Sequence, residues 1–233
     1  MAQALGTGTE LRACRARGFE VAGASCQGAR RPLNEDRFRL GREGFCLMDG
    51  VGGGEAGEVF AELAANRVQR LIERGADPAE ALREAGDDLR VLRSEVLHAF
   101  GGAMGCACSF GGDGGCVIAL LGDVRAFLVG EEGIEEVCQA PLRGGRYLGD
   151  GGLGRPRARR IAPACLVSRV LLVCSDGLWR YVSVREVAET VLGIPSLDAA
   201  AERLVALARQ CASPDDVTVT LCRPFAESGR CVT

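Results

Sequence analysis

The sequence predicts an α+β fold in which β-sheet lies in the middle and pairs of helices lie outside it. Two observations carry this prediction. Short apolar or alternating segments, typical of strands, come in groups along the chain. Between these groups, segments with apolar residues at three- and four-residue steps come in pairs. Helices grouped in this way favour layers of sheet and helix over a doubly wound parallel sheet.

The first half of the chain predicts three strands followed by two helices. Residues 1–17 are polar without a pattern, so we expect a flexible N-terminal segment. A hairpin is expected around Gly41–Gly44, and Pro78 is expected to open the second helix. The strands are predicted at residues 19–26, 36–40 and 44–49, and the helices at 55–74 and 78–100.

After Gly101 the hydrophobic period changes to that of a strand meander. Ser183 with Glu186 forms the pattern of a capping box, and Pro195 with Ser196 begins a further helix. Strands are predicted at residues 103–111, 115–121, 125–129, 134–139, 166–174 and 217–221, with a loop at 140–160. No linker or internal repeat divides the chain, which predicts one domain over residues 18–224 and a C-terminal tail over 225–233.

Composition excludes several classes of protein. Hydrophobic residues make up 47% of the 233 residues, which is enough for a sizeable core. The formal net charge of −3 gives no basic signal for nucleic acid. No apolar run approaches the roughly 20 residues that span a bilayer, and the N-terminus lacks the apolar core of a signal peptide. We therefore expect a cytoplasmic protein that binds neither nucleic acid nor membrane.

Twelve cysteines are present, and none forms a C-x-x-C pair. Most lie inside apolar, strand-like segments, where cysteine behaves as a small buried hydrophobic residue. In a chain without an export signal this favours reduced thiols over disulfides. Cys106 and Cys108 are two residues apart and would share one face of a strand, where they could pack in the core or contact a metal.

The segment LMDGVGG, residues 47–53, ends an apolar run in an acid and then in glycines. A strand that stops at Asp49 holds a carboxylate at the rim of a sheet, and glycine lets the backbone approach a neighbour closely. Other acids also stand where a strand begins or ends. They are Glu35, Asp36, Asp123, Asp176, Asp215 and Asp216.

Each of these acids alone is most simply a turn former or a helix cap, but together they predict a cluster. Several ionised carboxylates cannot crowd together without a cation, and their oxygens suit Mg²⁺ or Mn²⁺. His98 is the only histidine, which excludes a histidine-rich zinc enzyme and disfavours a Ser-His-Asp hydrolase. The simplest remaining mechanism is hydrolysis in which water activated by two metal ions attacks phosphorus in line.

Five segments in chain order carry a resemblance. They are GARRPLNEDRF, LMDGVGGGEAGEVFAELAA, LLGDVRAFLVG, LLVCSDGLW and SPDDVTVTL. Together they resemble the ordered motifs of the PPM family of metal-dependent serine/threonine protein phosphatases (type 2C), particularly its small bacterial members. The resemblance spans roughly residues 20–223 and implies a four-layer α/β/β/α sandwich. It also implies hydrolysis of phosphoserine and phosphothreonine by a water bound to two metal ions.

The resemblance also implies roles for the acids. Asp49 is similar to the carboxylate that bridges the two metal ions, and the Gly50 carbonyl would contact one of them. Asp176 and Asp215 match further ligands of these ions, Mn²⁺ or Mg²⁺. This reading accounts for LMDGVGG, in which the strand delivers the acid and the glycine brings a backbone oxygen to the same ion.

The remaining matches lie around this centre. Glu35 and Asp36 match an acidic pair that acts largely through metal-bound water. Asp123 matches an acid that helps to hold a weaker third ion together with Asp176. Arg31 falls where the family keeps an arginine that grips phosphate, so Arg31, Asp49 and Asp176 are expected to act in catalysis; a surface charge is the alternative for Arg31.

Two departures from the family pattern concern substrate handling. Val51 stands where the family often has histidine or methionine after Asp-Gly. The segment after residue 130 is shorter than the family's usual flap and lacks histidine, although it carries many arginines between residues 143 and 160. A basic rim of this kind could meet a phosphopeptide, or it could be a solvated loop.

Three functions remain open at this stage. The first is a protein serine/threonine phosphatase of bacterial signalling, monomeric, with the targets of a cognate kinase as substrates. The second is a non-catalytic module of the same fold that binds a partner in its cleft. The third is a phosphohydrolase for a small molecule. Retention of five candidate core acids, Glu35, Asp36, Asp49, Asp176 and Asp215, favours the first.

Overall fold

A computed structural model of the chain describes residues 9–52, 56–97, 101–138, 147–151 and 155–225. Its strands are β1 (Glu10–Ala16), β2 (Phe19–Cys26), β3 (Asp36–Leu40), β4 (Gly44–Val51), β5 (Gly102–Phe110), β6 (Cys116–Leu121), β7 (Arg125–Gly130), β8 (Gly133–Cys138), β9 (Arg157–Ile161), β10 (Val170–Cys174) and β11 (Val217–Pro224). Its α-helices are α1 (Gly57–Glu73), α2 (Pro78–Val91), α3 (Pro163–Leu166), α4 (Asp176–Trp179), α5 (Val184–Gly193) and α6 (Leu197–Gln210). A π-helical turn, Leu92–Leu97, continues α2.

The strands form two antiparallel sheets. The first sheet has six strands in the order β1-β2-β11-β10-β7-β8. The second sheet has five strands in the order β3-β4-β5-β6-β9. The predicted α+β class and antiparallel sandwich are thereby confirmed.

Three apolar clusters separate four layers. The cluster between the sheets contains Phe19, whose ring stacks on Phe110 with centroids 4.6 Å apart. A second cluster joins the first sheet to α5 and α6, and a third joins the second sheet to α1 and α2. Each helix pair therefore buries its apolar stripe on the outer face of one sheet, where burial stabilises by about 25 cal/mol per Å² of apolar surface.

The helix ends follow local sequence signals. The Asp77 side chain accepts hydrogen bonds from the amides of Ala79 and Glu80, and Pro78 occupies the first turn of α2. The predicted capping box of Ser183 and Glu186 is present at the start of α5. Such caps satisfy amide groups that the first turn leaves without intrahelical partners.

The structure corrects three predictions of local structure. Residues 10–16 are not a loose segment but form β1, paired along its length with β2. Residues 157–161, within the predicted loop, form the edge strand β9 beside β6. The strand predicted at 166–174 begins only at Val170, because α3 precedes it. Residues 1–8 and 226–233 lie outside the described residues.

The exposed strands β1 and β9 escaped prediction for a physical reason. Four of the five residues of β9 and most of β1 are exposed, so neither strand has the alternating pattern that burial of one face imposes. The arginines of β9 are engaged at the surface, since Arg159 pairs with Glu135 and Arg160 with Asp113. Among the described residues, no helix is both long and apolar enough to cross a bilayer.

Candidate active site

Antiparallel register brings the predicted acids to one end of both sheets. In the second sheet Asp36, at the start of β3, stands directly opposite Asp49, near the end of β4. In the first sheet Cys174, at the end of β10, stands opposite both Arg125 and Val219. The residues just beyond these positions are Asp176, Asp123 and Asp215. Acids far apart in sequence therefore meet because neighbouring strands run in opposite directions.

The pKa values of Asp49 and Asp176 reflect their burial and the crowding of neighbouring acids. Burial raises the pKa of Asp49 well above its ordinary value, and the charges of Asp36, Asp176, Asp123 and Asp215 raise this pKa further. Burial and the charge of Asp123 raise the pKa of Asp176 to about 6. A raised carboxyl pKa means that burial and neighbouring negative charges disfavour the ionised form. These acids therefore form a buried region of concentrated carboxyl groups.

Asp36 is fixed by a buried hydroxyl that the sequence analysis did not single out. Ser175, which is fully buried, donates a hydrogen bond from Oγ to Asp36 Oδ2 at 2.8 Å. The same Oγ accepts the amide of Thr218 at 3.0 Å. Burial and the charge of Asp216 raise the pKa of Asp36 to about 8. Ser175 thus connects the start of β3 to the end of β10 and the start of β11.

Asp216 is a second residue whose role only the structure defines. Its side chain is buried and accepts the amides of Gly28 and Glu35, each at 2.7 Å. Burial raises the pKa of Asp216, while these two hydrogen bonds act in the opposite direction. The carboxylate fixes the loop between β2 and β3, which carries Arg31 and Glu35. Its place beside Asp215 in SPDDVTVTL was the only signal in the sequence.

Gly50 and Gly57 explain part of the glycine-rich segment after Asp49. A Cβ atom on Gly50 would lie 2.4 Å from the carbonyl oxygen of Gly57 and 2.9 Å from that of Glu35. A Cβ atom on Gly57 would lie 2.7 Å from the Glu35 carboxyl carbon. At Gly50 the clash would be with backbone atoms, so the position requires glycine, whereas at Gly57 a Cβ atom would displace the Glu35 carboxylate. The start of α1, the end of β4 and Glu35 therefore pack together directly beneath the site.

Arg31 lies among the acids rather than free on the surface. Its guanidinium contacts Asp215 Oδ1 at 2.6 Å and Glu35 Oε2 at 3.3 Å. The Arg31 side chain keeps 34% of its surface exposed, so it lies between the acids and solvent. This placement agrees with a phosphate-binding role, which stays a prediction.

Arg180 is a second guanidinium at the site, and the sequence analysis did not identify it. It bridges Asp123 Oδ2 at 3.2 Å and Asp176 Oδ2 at 3.3 Å. The neighbouring Trp179 donates its indole N–H to the Asp123 carbonyl oxygen at 3.0 Å. The charge of Arg180 lowers the pKa values of both acids, but burial outweighs it and both remain raised.

The donor chemistry of the cluster fits hard divalent cations. Its acidic side chains offer carboxylate oxygens, and within the described part of the chain Asp123 Oδ1 is buried without a hydrogen-bond partner. Within the described parts of the chain, no group of three or more His, Cys, Asp or Glu residues is already arranged to hold a metal ion. Four carboxylates are instead paired with arginines, namely Glu35, Asp215, Asp123 and Asp176. Arg31 and Arg180 therefore supply positive charge to these four carboxylates.

Other residues named from the sequence are placed differently. His98 lies outside the described residues. Cys106 and Cys108 are buried in the cluster between the sheets, which supports packing rather than metal contact. All cysteines within the described residues are free thiols. The predicted metal and catalytic roles of Gly50, Asp49 and the other acids stay predictions.

The chain is similar to protein phosphatases among curated proteins. It is 31% identical over 223 residues to probable protein phosphatase 2C 74 of Oryza sativa subsp. japonica, covering 75% of this chain and 56% of that protein. It is 27% identical over 231 residues to serine/threonine protein phosphatase PstP of Mycobacterium tuberculosis, covering 87% and 44%. The chain thus spans about half the length of the curated relatives it matches. No family model matches it.

Solved structures show the same fold. The serine/threonine phosphatase PstP of Mycobacterium tuberculosis superposes with a TM-score of 0.77 at 25% identity, covering 89% of this chain and 99% of that one. The PstP catalytic domain in complex with two manganese ions gives 0.77 at 24% identity, covering 94% and 100%. From the sequence relatives, the fold and the ordered acids, the chain belongs to the PPM (type 2C) family of metal-dependent serine/threonine protein phosphatases, as a bacterial-type member.

Proposed function

We propose that this chain hydrolyses phosphate monoesters on serine and threonine residues of proteins, with Mn²⁺ or Mg²⁺ as cofactor. The observation that carries the proposal is the convergence of acids from both sheets beside a partly exposed arginine. Raised pKa values at Asp49 and Asp176 support a need for divalent cations there. The PstP catalytic domain, which shares this fold, is described in complex with two manganese ions.

Different residues of the site are proposed to hold the metal ions and to position their ligands. Asp49, the Gly50 carbonyl, Asp176 and Asp215 would hold two ions, with Glu35 and Asp36 completing their surroundings. Bound divalent ions lower the pKa of water and neutralise charge on a phosphoryl group. Ser175 and Asp216 hold Asp36 and the Glu35 amide in place.

Arg31 is proposed to orient the phosphate. Its planar guanidinium can donate two hydrogen bonds to phosphate oxygens, and its side chain is partly exposed to solvent. Because the same side chain contacts Asp215 and Glu35, bound phosphate would lie directly beside the acids.

The substrate and setting are further proposals. We expect substrates among the targets of a cognate serine/threonine kinase and a monomeric enzyme in the cytoplasm. The free thiols of the described cysteines support a reducing compartment.

Hydrolysis of a phosphothreonine peptide with Mn²⁺, with EDTA and by Asp176→Asn tests the function. We expect turnover that needs the metal and falls about 100-fold or more in the variant. Asp87→Asn is the matched control, because Asp87 is exposed on α2 and forms an exposed pair with Arg83. No turnover by a folded chain that binds Mn²⁺ would favour the binding module. Preference for a nucleotide over the peptide would favour the small-molecule phosphohydrolase.

A further inference from the structure

Arg180 occupies a special place in the acid cluster. Its guanidinium nitrogens reach two different carboxylates, Asp123 at 3.2 Å and Asp176 at 3.3 Å. These two acids come from separate elements, the β6–β7 turn and the start of α4. The Arg180 guanidinium therefore stands between two acids that would otherwise face a like charge.

The local fold holds Arg180 in this position. The short helix α4 places Arg180 four residues after Asp176, and its amide donates to the Asp176 carbonyl at 3.2 Å. The guanidinium carbon lies 5.0 Å from the centre of the Trp179 ring, and Arg125 stacks on the same ring at 3.6 Å. Trp179 is itself anchored by its hydrogen bond to the Asp123 carbonyl. The backbone of α4 and the Trp179 ring thus support the half-exposed Arg180 side chain in this position.

The number of charges in the cluster determines how many divalent ions would balance it. When fully ionised, the cluster has seven negative charges from its carboxylates and two positive charges from its arginines, which leaves five negative charges. Two divalent ions would reduce the excess to one negative charge, and a third would reverse it. The groups counted are Glu35, Asp36, Asp49, Asp123, Asp176, Asp215, Asp216, Arg31 and Arg180.

We propose that Arg180 is a cation built into the acidic site, where it neutralises Asp123 and Asp176 and limits the divalent ions held there to two. This inference rests on the proposed function, since it concerns the ions of the same site. According to this inference, Asp123 and Asp176 do not hold a third ion, because Arg180 takes its place. Arg180 acts through the two acids and is a positioning residue.

The number of bound Mn²⁺ ions tests the proposal without any substrate. The full chain, stripped with EDTA and dialysed, is titrated with Mn²⁺ while free hydrated Mn²⁺ is followed by electron paramagnetic resonance. We expect two ions in the wild-type chain and one further ion in Arg180→Ala. The extra ion should bind at least about tenfold more tightly than any weak binding by the wild type, because a neighbouring positive charge has been removed.

Three further variants isolate the cause. Arg180→Lys keeps a positive charge and should retain a count of two. Combining Arg180→Ala with Asp123→Asn should abolish the extra ion, because one of its ligands is lost. Arg185→Ala is the matched control, since Arg185 is highly exposed and pairs with Glu189 on α5. Circular dichroism melts confirm that each variant is folded.

The outcomes separate this inference from the proposed function. Equal counts in the wild type and Arg180→Ala, or three ions in the wild type, would overturn the inference while leaving a metal-dependent phosphatase intact. A folded wild-type chain that binds no Mn²⁺ would overturn the proposed function and the inference with it.

Discussion

Replacing Asp216 with alanine removes the acceptor that holds the loop between β2 and β3. The Asp216 carboxylate receives the amides of Gly28 and Glu35, both at 2.7 Å, in a buried position. In Asp216→Ala both amides lose their partner. Because each unsatisfied buried donor costs about 1–3 kcal/mol, the two together cost about 2–6 kcal/mol.

Another effect of Asp216→Ala offsets part of this loss in stability. The charge of Asp216 raises the pKa of Asp36, so removing it relieves a repulsion between the two carboxylates. We expect a net loss of about 2–4 kcal/mol in the free energy of unfolding, which lowers the melting temperature by about 5–15 °C in a domain of this size. Asp216→Asn keeps an oxygen for one of the two amides and should lose about half as much.

Urea denaturation of the metal-free chain measures these losses. Circular dichroism reports global unfolding, and the fluorescence of Trp179, the single tryptophan, reports the region of the site. Asp87→Ala provides the matched control, because its exposed pair with Arg83 contributes at most about 1 kcal/mol. A loss in Asp216→Ala no larger than in the control would refute the idea that this carboxylate holds the loop.

Three further predictions follow from the site. Arg31→Lys should lower kcat/KM for a phosphothreonine peptide about 10- to 100-fold, because one forked donor is replaced by a point charge, and unchanged kinetics would exclude Arg31 from phosphate binding. Ser175→Ala should cost about 1–3 kcal/mol in urea denaturation, since the buried Thr218 amide loses its acceptor; a loss below about 0.5 kcal/mol would contradict this. In EDTA, the pKa of Asp36 is raised to about 8, so its protonated form stabilises the folded chain. This stabilisation is complete below the ordinary pKa of aspartate and is lost as pH rises toward 8, so the melting temperature should fall over this range. A melting temperature that rises over this range would contradict the assignment.

Many elements of the fold could be predicted from local sequence. The helices α1, α5 and α6 follow from apolar spacing and from caps such as Ser183, because these signals lie within a few residues of one another. Edge strands have no such signal. The polar strand β9 exists only because β6 offers it a backbone partner about forty residues earlier in the chain.

The sequence by itself determined the layered architecture and the acids, since periodicity and strand-end carboxylates are local properties of the chain. Only the tertiary structure decided which groups serve those acids. Ser175 meets Asp36 from 139 residues away, and Asp216 meets the Glu35 amide from 181 residues away. Arg180 lies close to Asp176 in sequence, but its bridge to Asp123 requires the packing of α4 against the β6–β7 turn. Such contacts depend on how distant strands pair, and a local sequence pattern does not indicate that pairing.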